Sequence, residues 1–162
     1  MNNTHFSLDI QEFLTLLLKH KVRYVIVGGE AVIFYGYARL TGDVDFFYES
    51  KDENIEKLYE TLSEFWDGDI PGIEKKEELK EPGVIVQFGT PPNRIDLLNQ
   101  IDGVTFQEAW DNKIEVNIKI RGEKIPTYFI GLNQLIKNKE LLKRYKDLED
   151  LKYLKKAKKK KD

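Results

Sequence analysis

Two spacings of apolar positions alternate along the chain. From Leu8 to His20, Ile10, Phe13, Leu14, Leu17 and Leu18 recur every three or four residues, which predicts a helix with Ser7 as its cap. Tyr24–Val27 is a short β-rich run that ends at Gly28-Gly29. Glu30–Tyr37 then reads as helix and Asp43–Tyr48 as a second strand, closed by the polar cluster Glu49–Asp52. Asn54–Trp66 is amphipathic, with Ile55, Leu58, Tyr59, Leu62, Phe65 and Trp66 on the inward face. The charged stretch Asp67–Pro82 holds Gly68, Pro71, Gly72 and Pro82 and reads as a long excursion with an edge strand. Val84–Phe88 and Ile95–Leu98 are strands joined by a turn at Thr90–Asn93. Phe106–Trp110 is a short helix, and Ile114–Ile120 alternates as a half-exposed strand does. A turn at Arg121–Lys124 leads to a strand at Pro126–Ile130. Helices at Leu132–Leu142 and Tyr145–Lys156 close the chain, with the last lysines fraying into solvent.

This order predicts the α/β (α+β) class: a mixed sheet with flanking helices and a small helical C-terminal part. Neither a repeat nor an interdomain linker is visible, so residues 1–162 read as one domain. Its parts are a sheet core over 1–130, helices over 131–156 and a basic tail over 157–162. A chain of 162 residues buries roughly 70% of its unfolded surface in one core. The formal charge of −2 hides an uneven distribution. Residues 151–162 hold seven lysines and one aspartate, +6 net, so residues 1–150 carry −8. That excludes a uniformly basic protein that coats nucleic acid.

Cysteine is absent, which removes disulfides, thiol nucleophiles and Cys-ligated zinc. His5 and His20 stand alone, so a His-rich metal site or a Ser-His-Asp triad is not expected. The start MNNTHFSLDI lacks the basic and apolar regions of a leader, and no apolar run is long enough to cross a membrane. The expected location is the cytoplasm.

The chemistry concentrates between Tyr24 and Asp96. Asp43 and Asp45 are two apart on a strand and therefore share a face. Asp96 interrupts the otherwise apolar Ile95-Asp96-Leu97-Leu98. Three carboxylates on adjacent strands would repel and raise their own pKa values. Hard divalent cations remove that difficulty, because Mg²⁺ takes carboxylate and phosphate oxygens together. Two ions could clamp the attacking and leaving oxygens of a phosphoryl displacement. The Gly28-Gly29 turn lets phosphate approach the backbone, and the following helix offers amides to the anion.

Each feature also has an ordinary structural reading. Gly-Gly commonly follows a strand, Asp-x-Asp often caps a turn, and Asp96 can pair with Arg94 or Lys124. The joint order is far more specific than any one part. The Gly-x-Gly-x-x-Gly fingerprint fails at Gly28-Gly29-Glu30-Ala31-Val32, and neither a Gly-Lys-Ser/Thr loop nor a kinase catalytic loop is present.

On these residues the chain resembles the nucleotidyltransferase superfamily built on a DNA polymerase β-type palm. It is most similar to the abortive-infection nucleotidyltransferase toxins and their relatives, with lincosamide-type antibiotic nucleotidyltransferases second. Gly28-Gly29, Tyr35-Gly36, Arg39, Thr41, Asp43 and Asp45 follow the toxin order. Lys139 and Lys146-Asp147-Leu148-Glu149-Asp150-Leu151 match its C-terminal pattern, so the resemblance spans about Tyr24 to Leu154. Gly29 stands where many polymerase-type enzymes have Ser, and the helical domain that larger toxins append has no counterpart in these residues.

The resemblance implies Mg²⁺-dependent transfer of a nucleoside monophosphate from a nucleoside triphosphate to a hydroxyl, releasing pyrophosphate, with one or two ions and Mn²⁺ as a substitute. Asp43, Asp45 and Asp96 are the implied metal ligands, with Asp96 also helping to deprotonate the acceptor. Gly28, Gly29, Arg39, Thr41 and Lys139 are the implied nucleotide contacts. Arg39 has an equal claim to a salt bridge with nearby acids, and Lys139 to a solvated helix face. Asp147 and Asp150 are expected to brace the helical part. The acceptor is open among tRNA, a protein side chain and a small molecule such as an antibiotic. An inactive regulator bound to a cognate toxin or antitoxin partner is the non-enzymatic alternative.

Overall fold

The computed structural model describes residues 5–161. Met1–Thr4, read above for leader character, and Asp162, the end of the basic tail, lie outside them. All four side chains of β1 (Tyr24–Val27) are buried. Such a strand belongs in the middle of a sheet covered on both faces. It pairs antiparallel with β2 (Asp43–Tyr48) and parallel with β6 (Glu123–Phe129). The sheet runs β3-β4-β2-β1-β6-β5, with β3 (Ile85–Phe88), β4 (Arg94–Leu98) and β5 (Ile114–Ile120) completing the six strands. β2 and β4 are parallel, and the outer pairs β3–β4 and β5–β6 are antiparallel.

The period of two divides the core. Tyr24, Ile26, Val44, Phe46, Tyr48, Ile95 and Leu97 point to one face. There they meet Ile10, Phe13, Leu14 and Leu17 of α1 (Leu8–Lys19) and Ile55, Leu58 and Leu62 of α3 (Asp52–Phe65). Val25, Val27 and Phe47 point to the other, against Ala31 and Val32 of α2 (Gly28–Phe34), Ala109 of α4 (Phe106–Asp111), Leu135 and Ile136 of α5 (Leu132–Leu142) and Leu151 and Leu154 of α6 (Tyr145–Lys161). Asp43, Asp45 and Asp96 share the face of Phe47 and Leu98 by the same alternation.

Several expectations change, among them the start of β6, which begins at Glu123 inside the predicted turn rather than at Pro126. The predicted edge strand in Asp67–Pro82 is instead a 3-10 turn over Lys76–Lys80. The stretch is too charged to alternate. Buried Leu79 anchors it, its carbonyl accepting from the Tyr48 hydroxyl at 2.6 Å. α2 begins two residues earlier than its polarity suggests, on Gly28 itself. The terminal lysines do not fray: α6 continues to Lys161, where cations suit the negative end of the helix dipole. Among the described residues, no helix is long and apolar enough to cross a membrane.

Candidate active site

The parallel register of β2 and β4 places Asp43 beside Arg94 and Asp45 beside Asp96. All four side chains alternate to the same face, so three carboxylates and one guanidinium form a square across two strands. Carboxylate oxygens of Asp43, Asp45 and Asp96 lie within 4.8 Å of one another. They line a cleft of about 420 Å³ together with Gly28, Gly29, Arg39 and Thr41.

Arg94 occupies the near side of this square. Its Nε donates to Asp96 Oδ1 at 2.8 Å, and its Nη2 to Asp96 Oδ2 at 3.1 Å and Asp43 Oδ2 at 2.9 Å. Gln87, opposite Asp96 on β3, donates to Asp96 Oδ2 at 3.3 Å. Thr41 Oγ1 donates to Asp43 Oδ1 at 3.2 Å. Asp45 is left out: among the described residues its buried Oδ1 has no hydrogen-bond partner.

The electrostatics follow this division. Burial, and then the charges of Asp43 and Asp96, push Asp45 up to about 8. Burial would also raise Asp43, but the adjoining Asp96 and Asp45 carboxyls and the Arg94 guanidinium hold it below the usual carboxylate range. Asp96 is raised, chiefly by burial, against the lowering effect of Arg94. Of the three carboxyls, Asp45 is therefore the one that burial and its neighbours most strongly disfavour as an anion.

The donor set fits a hard divalent cation. It is all carboxylate oxygen, closely spaced, with one buried oxygen unpartnered. Backbone shape keeps the space open. Gly28 has φ +65°, and a Cβ there would lie 2.2 Å from Asp45 Oδ2. A Cβ on Gly29 would lie 2.6 Å from Thr41 Oγ1 and 3.2 Å from Arg39 Nη2. Val27 gives α2 no side-chain cap, and Gly28 and Gly29 form its first turn at the cleft.

One wall of the cleft carries a charge network that runs into the interior. Lys139 is 2% exposed, and its Nζ is 2.9 Å from Asp147 Oδ1 and 3.1 Å from Asp150 Oδ2. Lys139 also lines the cleft; its burial rules out the solvated helix face, and two carboxylates hold its ammonium. Arg39 Nη2 donates to Asp150 Oδ2 at 3.1 Å, while Arg144 Nε donates to Asp147 Oδ2 at 2.7 Å. Of its two expected roles Arg39 thus takes the salt bridge, although its partner is 111 residues away. Asp147 and Asp150 brace α6 against α5 and against the loop before β2. Arg144 and Lys146 also line the cleft. Nothing in the local sequence marks Arg144 as a site residue, since it sits in a run of charged positions, and Lys146 entered only as part of the C-terminal pattern, with no site role.

A family model described as "Nucleotidyltransferase of unknown function (DUF6036)" matches residues 7–157. The chain belongs to this nucleotidyltransferase family. Nucleotidyltransferases generally use divalent metals, and this member carries a three-carboxylate group. No functionally curated protein matches the chain in sequence. Among solved structures, the nucleotidyltransferase fold recurs in an antigenic nucleotidyltransferase-like protein from Paracoccidioides brasiliensis. That match has a TM-score of 0.54 and 17% identity, over 92% of this chain and 77% of the other. The lincosamide antibiotic adenylyltransferase LnuA, in its lincomycin-bound structure, matches with a TM-score of 0.50 and 19% identity, over 94% of this chain and 98% of LnuA. At these identities the likeness is one of fold.

Proposed function

We propose that the protein is a metal-dependent nucleotidyltransferase that moves a nucleoside monophosphate from a nucleoside triphosphate to a hydroxyl acceptor. The observation that carries this reading is the convergence of Asp43, Asp45 and Asp96 beside the Gly28-Gly29 turn at one cleft. In the step, the acceptor oxygen bonds to the α-phosphorus and the bond to the bridging β-phosphate oxygen breaks. Pyrophosphate leaves with that electron pair, and the hydroxyl proton passes to a carboxylate, for which Asp96 is the candidate.

Asp43, Asp45 and Asp96 would hold Mg²⁺, or Mn²⁺ in its place, as one ion or two. When bound, such a cation neutralises triphosphate charge and acidifies the acceptor hydroxyl. Gly28 and Gly29 admit the phosphates close to the backbone because neither carries a Cβ. Thr41 donates to Asp43, and Arg39, held by Asp150, lies with Thr41 against the space that a Gly29 Cβ would fill. The residues would act mainly by positioning and charge complementarity. A cytoplasmic setting, where triphosphates are abundant, goes with this reading.

The acceptor class is tested by incubating the protein with each labelled triphosphate, Mg²⁺ and, in separate arms, total tRNA, cell protein and antibiotics of the lincosamide and aminoglycoside classes. A labelled species that disappears with Asp45→Ala, in a protein of unchanged circular dichroism, is the expected result. Undiminished labelling by that variant would overturn the assignment. The partner-binding reading, as regulator of a toxin–antitoxin pair, predicts no calorimetric heat with Mg²⁺ and any triphosphate.

A further inference from the structure

Arg94 has no part in the transfer step proposed above, yet its guanidinium is the main protein partner of the carboxylate cluster. It takes both oxygens of Asp96 and one of Asp43, with the geometry of a two-pronged charge-assisted bond. Those are oxygens that a divalent cation would need. Asp43 keeps one oxygen for Thr41, and Asp45 alone stays outside the arginine's grip. The placement is imposed by the fold: Arg94 and Asp96 are two apart on β4, and the register sets Arg94 against Asp43.

We propose that Arg94 is the resident counter-cation of the carboxylate cluster, and that divalent metal enters by exchange with its guanidinium. The inference rests on reading the three acids as cation ligands and adds that their site is never an open cluster of like charges. Without metal, Arg94 holds Asp43 and Asp96 at their working separation. With metal, Asp43 and Asp96 turn oxygens to the ion and the guanidinium gives them up. Arg94 is anchored on the cleft wall, so the released group stays beside the cleft, where an anionic phosphate can meet it. Metal entry is then coupled to nucleotide entry. Metal alone must compete with Arg94, whereas metal arriving with a triphosphate supplies the arginine with a replacement partner.

The test is Mn²⁺ binding, followed by the loss of the free-ion paramagnetic resonance signal, for wild type, Arg94→Gln and Arg94→Lys. Each is measured alone and with a non-hydrolysable triphosphate. Arg94→Gln should bind Mn²⁺ alone at least tenfold more tightly than wild type, and Arg94→Lys, which keeps charge without the fork, should fall between them. Added triphosphate should tighten Mn²⁺ binding more in wild type than in Arg94→Gln. In thermal melts, EDTA should lower the midpoint of Arg94→Gln well below that of wild type, and Mn²⁺ should restore it. Equal or weaker Mn²⁺ binding by Arg94→Gln would overturn the exchange. If Arg94→Gln fails to fold even with Mn²⁺, the order of Arg94→Lys against wild type decides by the same criterion. Asp45→Asn, which leaves every Arg94 hydrogen bond in place, tests the underlying reading separately. If that variant keeps full Mn²⁺ affinity with triphosphate, the metal-ligand reading fails, whatever Arg94 does.

Discussion

At the scale of single residues, the site depends as much on an atom that is missing as on the acids. Gly28 sits in the left-handed region, and a Cβ there would strike the Asp45 carboxylate. Gly28→Ala therefore carries two costs, the backbone strain and a clash that must displace Asp45. It should lower stability by about 1–3 kcal/mol and abolish Mn²⁺ binding, read by thermal melts and by resonance. Gly36→Ala has φ +107° but no neighbour within 4 Å, so it should lower the melting point without touching metal binding. The three acids were legible in the sequence because Asp in an apolar strand is costly and period two places Asp43 and Asp45 together. Arg94 was legible as a partner of Asp96, two residues away on the same strand. Its second grip, on Asp43, was not. That hydrogen bond depends on the register between strands 51 residues apart in sequence, which neither strand encodes alone.

At the scale of elements, α5 and α6 are joined to the site by the ion network rather than by apolar packing alone. Lys139, Asp147 and Asp150 are all within 2% of complete burial, so each depends on the others for compensation. Lys139→Met fits the volume but leaves two buried carboxylates without their shared cation. It should destabilise the fold by about 3–5 kcal/mol, measured by urea unfolding. The pH dependence follows from Asp147. Burial alone would raise its pKa, but hydrogen bonds from Arg144 and Lys139 outweigh that and hold it below the ordinary carboxylate value. A depressed folded pKa gives stability that is present above the unfolded value, about 3.9, and is lost as pH falls through the lower folded one. Asp147→Asn should therefore be less stable than wild type at neutral pH and lose less on acidification below about pH 4. The bounds of α5 and β5 were readable from their periodicity, and those of β1 and β2 from short β-rich runs closed by Gly28-Gly29 and by the polar cluster at Glu49. The buried charge network was hidden. Lysine and aspartate on a charged helix ordinarily face water, and only tertiary structure shows that these three do not.

At the scale of the whole molecule, the charge asymmetry acquires a geometry. α6 opens beside the cleft, where Lys146 lines the wall, and runs for 17 residues, about 25 Å. Its packed side is Asp147, Asp150, Leu151 and Leu154, while the lysines from Lys152 to Lys161 lie around the remainder. Lys158, Lys159, Lys160 and Lys161 are exposed, so they add little to the packing of the core. Replacing these four with Gln should leave the thermal midpoint nearly unchanged, since the helix rests on Leu151 and Leu154 rather than on its end. The effect belongs to long-range electrostatics. Without them the +6 arm loses most of its charge while the body stays at −8, and a polyanion approaching the cleft meets net repulsion. Binding of single-stranded RNA to the quadruple variant should be weaker at low salt. The slope of log affinity against log salt should be shallower by about 0.7 for each phosphate that the variant no longer neutralises. An unchanged slope would mean that the lysines serve solubility and the C-terminal helix dipole alone. Because Asp43, Asp45, Asp96 and Arg94 are untouched, Mn²⁺ binding in the same variant should match wild type, which separates a change in steering from damage to the site.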